Sequence, residues 1–176
     1  MRLLLLPALA AALTVTAASA EEEGIAVPGP HGGAAYYANA EQKAQQDQYG
    51  YAAAYRAGDF VYLSGVVAGS PDGQPLDREA FKERLRATFK EAEANFKAAG
   101  ASLEEVIDIT SFHVWDSPLY PAGKFDHLSA VGEVKREFMP LPDPTWTAIG
   151  ISELVPDNDI IEIRMIAYSP KKKSKR

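Results

Sequence analysis

The sequence contains no cysteine, so disulfides, thiolate metal sites and cysteine nucleophiles are excluded even in an oxidising compartment. It is poor in histidine: His31, His113 and His127 are the three, and no two share the spacing of a metal-binding pair. No metal is therefore expected. His113, within a strand-forming stretch, reads as a hydrogen-bonded core residue. Positive charge is also scarce. The 18 basic residues are outnumbered by 24 acidic ones, giving a net charge of −6. An acidic chain repels phosphate backbones, so no nucleic acid is expected as a partner. The basic run from Lys171 to Arg176 is short enough to be a solvated tail.

Long apolar runs are confined to the start of the chain. Arg2 is followed by Leu3 to Leu6, Leu9, Leu13 and Val15, then by Ala18-Ser19-Ala20 and three glutamates. That order of charge, apolar stretch and small-x-small site is a cleavable secretory signal over residues 1–20. The run is short for a membrane span, which disfavours the alternative of an uncleaved anchor. The expectation is a secreted or periplasmic protein, cut after Ala20 and without membrane attachment. The 156 residues that follow suit one domain with its own core.

Residues 21–48 are rich in Gly, Pro and Gln and read as an N-terminal arm or linker; residues 49–170 read as the packed domain. Strands are expected at Ala52–Arg56 and Asp59–Ser64 around the turn at Ala57-Gly58. Asp77 opens a helix in which Phe81, Leu85, Phe89, Ala92, Phe96 and Ala99 keep helical spacing until Gly100. A strand follows over Glu105–Trp115, then a helix from about Gly123 to Phe138. Two more strands, Thr145–Ser152 and Asp159–Tyr168, complete a β-β-α-β-α-β-β order of the α+β class. Two helices cover one face of such a sheet. Yet the last strand is apolar on both: Ile161, Ile163 and Met165 on one, Ile160, Ile166 and Tyr168 on the other. Self-association is the simplest cover for the second face.

Glu162 interrupts that strand on the face assigned to the interface. Its carboxylate is either a proton-transfer group or the partner of Arg164, two residues on. Ser64-Gly65 ends a strand where glycine permits close backbone approach and a serine could orient water, or where the chain simply turns. Trp146, taken alone, reads as packing.

Several stretches together resemble the RidA (YjgF) family of reactive-intermediate deaminases. They are Tyr51, the run from Arg56-Ala57-Gly58-Asp59 to Ser64-Gly65, Asn95 to Gly100, Ser102 to Val106, Pro144 to Gly150 and Ile161 to Ala167. The resemblance implies a chorismate-mutase-like α+β fold and a homotrimer whose sheets form a central barrel. It implies a small-molecule cleft at each subunit interface and hydrolysis of enamines and imines without a cofactor. A carboxylate at Glu162 would handle protons, with Tyr51, Ser64, Gly65, Gly132, Trp146, Ala148 and Arg164 at cleft positions. Two of these depart from the family pattern. Its P-x-R-T motif reads Pro144-Thr145-Trp146-Thr147, and a cleft asparagine is replaced by Gly132. An indole offers one N–H and no charge, so it cannot replace an arginine clamp on a substrate carboxylate. Two functions remain open: a deaminase-like hydrolase, and a non-catalytic small-molecule binder on the same fold. A ribonuclease is disfavoured by the acidic charge and by the lack of a histidine pair in the sequence.

Mass spectrometry of the native N-terminus is expected to find Glu21 first; an intact Met1 would overturn the signal assignment.

Overall fold

The computed structural model describes residues 24–171. The signal expected over residues 1–20 and most of the basic tail lie outside them.

The core is organised by one long amphipathic helix. Asp77 caps α2 (Arg78–Ala98) by accepting the Ala80 N–H at 2.8 Å. Phe81, Leu85, Phe89, Ala92 and Phe96, three or four residues apart, turn one stripe into the core, each at most 1% exposed. The helix stops at Gly100, whose φ of +72° only glycine adopts at little cost. The N–H groups of Gly100 and Ala101 return to the carbonyls of Lys97 and Phe96. α3 (Lys124–Phe138) lies beside α2 and buries His127, Ala130, Val131 and Val134.

These helices cover one face of a mixed sheet. In chain order its later strands are β3 (Ala54–Ala57), β4 (Phe60–Leu63), β5 (Val66–Gly69), β6 (Val106–His113), β7 (Thr145–Gly150) and β8 (Asp159–Tyr168). β8 lies at the centre, antiparallel to β4, β5 and β6, while β6 and β7 run parallel. Ile161, Ile163, Met165 and Ala167 of β8 are buried beneath the helices. On the other face Tyr168 of β8 and Phe60 and Tyr62 of β4 remain 39–46% exposed, whereas Ile160, expected on that face, is fully buried.

Residues 24–48 depart from the expectation of an unstructured arm. β1 (Ile25–Pro28) and β2 (Ala34–Tyr37) form a hairpin, and β2 continues the sheet by pairing with β3. A third helix, α1 (Ala40–Asp47), then folds onto the domain. The strands are short and rich in alanine, with Gly and Pro between them, so alternation is faint. The helix has no apolar stripe and is held by tertiary bonds instead. Asn39 Oδ1 accepts the Gln42 N–H, Gln42 Oε1 accepts the Ala38 N–H, and Gln42 Nε2 donates to Asn95 of α2, all at 2.8–2.9 Å.

Arg56 of β3 closes the structure at the other end of α2. Its guanidinium, in a residue 5% exposed, donates to the carbonyls of Ala99, Gly100 and Ser169 at 2.7–2.8 Å. Two of those acceptors belong to the helix terminus, which has no intrahelical donors left. Arg56→Met is expected to leave them unpaired and to lower stability by about 3 kcal/mol in urea unfolding. A loss below about 1 kcal/mol would show that water replaces the guanidinium without cost.

Candidate ligand cleft

β4 and β5 share one edge of β8. β4 pairs with Ile166–Tyr168 and β5 with Asp159–Ile163, so the chain crosses a gap at Ser64-Gly65. Ser64 is tied down there. Its hydroxyl donates to Ala52 O at 2.6 Å and its N–H to Ala53 O at 2.9 Å. Gly65 faces the carboxylate of Glu162 so closely that a Cβ would overlap Oε1. The absent side chain is thus what lets Glu162 occupy the gap.

Glu162 looks into a cavity of about 580 Å³. Tyr51, Ser64 and Gly65 line it too, so four of the residues expected from sequence converge on one site. Gln46 of α1, Tyr49 and Glu91 of α2 add walls that sequence reasoning did not find. Ser64 and Gly65 also border a second cavity of about 450 Å³, which contains Arg164. Among the described residues no ion pair joins Glu162 to Arg164. Two other carboxyls respond to their surroundings. Burial and the charge of Glu162 push Asp159 up to about 6. Desolvation also raises Glu91, although that residue stays exposed to solvent.

The remaining expected residues lie elsewhere. Trp146 pairs with Ile109 and donates its indole N–H to Ser111 Oγ at 2.8 Å, beneath the helices. Gly132 of α3 sits beside it, 3.9 Å from the indole at the position its Cβ would take. Ala148, on β7, pairs with Ser111. Within one chain Trp146 and Glu162 therefore stand on opposite faces of the sheet.

The chain also contains a histidine pair that its sequence hides. His113 and His127, 0% and 1% exposed, meet edge to face with ring centroids 4.9 Å apart. His113 stacks on Trp115 and bonds through Nε2 to Ser111 Oγ at 2.7 Å. His113 Nδ1 and His127 Nε2 are buried without partners. Desolvation lowers His113 to about 3, helped by His127, and lowers His127 to about 4. Both rings are neutral packing elements near pH 7, shut away from any substrate.

A mixed sheet under two long helices, with a carboxylate reaching into a break between strands, defines an α+β fold, and comparison with known proteins gives its family. The profile described as Endoribonuclease L-PSP matches residues 41–169. The chain is 35% identical over 124 residues to RutC family protein YjgH of Escherichia coli, covering 70% of this chain and 86% of that protein. The solved structure of protein YjgH aligns with a TM-score of 0.55 at 31% identity, over 72% of this chain and 88% of that one. RidA from the Antarctic bacterium Psychrobacter aligns with a TM-score of 0.53 at 26% identity, over 68% and 88%. A 2-iminobutanoate/2-iminopropanoate deaminase of Dermatophagoides farinae is 26% identical over 116 residues, covering 66% of this chain and 83% of that protein. The chain belongs to the RidA/YjgF family and has its chorismate-mutase-like fold.

The buried histidines set an acid limit on stability. Their folded pKa values lie below the unfolded value of about 6.5, so the unfolded chain binds more protons in between. Their contribution is complete above that unfolded value and is lost as the pH falls toward 4. Asp159 acts in the opposite sense, its contribution fading as the pH rises through about 6. Unfolding free energy is expected to fall between pH 6.5 and 4, by up to about 1.4 kcal/mol per pH unit for each histidine. Urea unfolding across that range checks this, and a His127→Phe variant should show a shallower slope. A flat profile would mean the rings are already protonated or solvated.

Proposed function

We propose that the cavity at Glu162 hydrolyses a carbon–nitrogen double bond in a small molecule without a cofactor, in an exported homotrimer. The carrying observation is Glu162 itself: a carboxylate without an ion-pair partner among the described residues, set against Gly65 in a cavity open to solvent on one side. Water adds to the imine carbon as Glu162 takes its proton, and the carbon–nitrogen π bond breaks. The same carboxyl returns the proton to nitrogen. The carbon–nitrogen bond then breaks as the hydroxyl proton passes by way of the same carboxylate to the departing nitrogen, leaving a carbonyl product and ammonia. The deaminase name of the mite relative supports this chemistry.

The trimer is supported by the open sheet face, where Phe60, Tyr62 and Tyr168 would otherwise stay in water. In such an assembly the edge strand β7 is what can bring Trp146 and Ala148 to a neighbour's cleft. Export rests on the signal-like order of residues 1–20.

A second reading is a binding protein without catalysis. It is favoured by Trp146, which stands where the family pattern has arginine and spends its only N–H on Ser111. The endoribonuclease wording of the family profile finds less support. The two histidines close to each other are buried and neutral, and the chain is acidic.

Glu162→Gln keeps the shape and removes the base. It is expected to reduce turnover of a responsive imine by roughly 100-fold or more while light scattering still reports a trimer. Turnover that survives the substitution would exclude Glu162 as the proton-transfer group. Binding that survives in a wild-type protein with no turnover would establish the second reading.

A further inference from the structure

The buried histidine pair is closed by one side chain. Trp115, in the turn after β6, stacks its indole on His113 with ring centroids 4.1 Å apart and 9° between the planes. It meets His127 edge to face at 5.2 Å. The indole rests on Gly150, the last residue of β7. A Cβ there would stand 2.3 Å from the indole nitrogen, so the missing side chain is what gives Trp115 its seat. Phe81 and Tyr120 pack against His127 from two other sides. The walls of this enclosure are aromatic, yet its contents are two basic rings.

Among the described residues no ion pair joins either ring to a carboxylate, and His113 Nδ1 and His127 Nε2 have no hydrogen-bond partner. The charged groups around the pair come from three elements. α3 supplies Asp126, whose charge favours a proton on His127. α2 supplies Arg78 and the turn supplies Tyr120, and both bond to Asp126, so that carboxylate is already engaged. Asp116 is exposed in the same turn. β7 and β8 place Gly150 and Ile161 opposite His113, and neither titrates. A proton on either ring therefore puts a charge into an aromatic box, a cost relieved when the box opens to water. Trp115 is the wall that can move with least disruption, being half-buried and outside any helix or strand.

His113 is also tied to β7. Its carbonyl accepts the Ile151 N–H at 2.9 Å, and its Nε2 is bonded to Ser111 Oγ, which accepts the Trp146 N–H. We propose that Trp115 is an acid-released latch: it closes on Gly150 over a neutral His113–His127 pair, and protonation of the pair drives it off and loosens the end of β7, the strand that carries Trp146. The latch is independent of any hydrolysis at Glu162. Its pH range follows from burial. The enclosed rings titrate lower than they would in water, so opening is favoured as the pH falls below about 6.5. A ring that titrates at about 4 when closed and about 6.5 when open shifts the balance toward opening by roughly 30-fold at about pH 5.

Trp115 and Trp146 are the two tryptophans, so Trp146→Phe leaves Trp115 as the sole reporter in the mature full chain. Acrylamide quenching of its fluorescence is expected to rise as the pH falls from about 8 to about 5, while far-UV circular dichroism stays unchanged. Hydrogen exchange of the Ile151 amide, taken relative to its intrinsic rate, should increase by roughly 30-fold over the same range. His127→Phe should suppress both changes and His31→Asn should not. Gly150→Ala should give the acid-like quenching already at neutral pH, because its Cβ displaces the indole. Quenching that stays constant until circular dichroism itself collapses would overturn the latch. So would an undiminished rise in His127→Phe, or a Gly150→Ala protein whose Trp115 behaves as in its parent. An Ile151 amide that does not respond would overturn the link to β7. If His127→Phe does not fold, nitrogen NMR of the histidine rings decides. Rings that take up protons together with the quenching uphold the latch, and rings that stay neutral through it refute it.

Discussion

The site depends on a break in strand pairing along one edge of β8. Glu162 is itself paired with Val67 of β5, and its carboxylate reaches toward the break, where any side chain at position 65 would overlap it. Here β4 ends at Leu63 and β5 begins at Val66, and the two residues between them carry the change. Ser64 anchors the turn through Ala52 and Ala53, while Gly65 leaves the space that Glu162 fills. The carboxylate is thereby held in position without being neutralised by a salt bridge. Exposure to solvent on one side and protein on the other is the setting in which such a group can exchange protons with a bound molecule.

How much of this was legible in the sequence follows from where the forces are recorded. α2, α3 and β8 are written in local periodicity, because their apolar residues must meet one core, and their expected limits agree closely with the observed ones. α1 was not legible. Its residues Ala40 to Asp47 are almost wholly polar, and what holds them is a cap from Asn39 and a side-chain bond to Asn95, far away in the chain. β5 was missed because it pairs on the same edge as β4, a choice made by tertiary structure alone. The same limit applies to the cleft. Glu162, Ser64 and Gly65 were marked by their places on strands and Tyr51 through a resemblance, whereas Gln46 and Glu91 lie on a helix read as linker and on a helix read as core cover.

Trp146 shows how one substitution in a family pattern reorganises its surroundings. The indole is large and uncharged, and it lies under α3 where Gly132 leaves room beside it. A Cβ at 132 would stand 3.9 Å from that ring, in ordinary contact with it, so the two departures from the pattern lie side by side. The Trp146 N–H also engages Ser111, and Ser111 engages His113, which stacks on Trp115. The departure is thus built into the apolar side of the sheet, as part of its packing.

An arginine at 146 would carry a positive charge; tryptophan carries none, and within the chain it stands on the face opposite Glu162. The uncompensated charge of Glu162 is felt at Asp159, which it helps hold partly protonated at neutral-to-acid pH. Arg164, the nearest candidate to restore balance, opens on the other cavity and makes no ion pair with Glu162 among the described residues. The fold of the family is retained while its motif loses a charge at position 146, and Gly65 leaves the space that the Glu162 side chain takes.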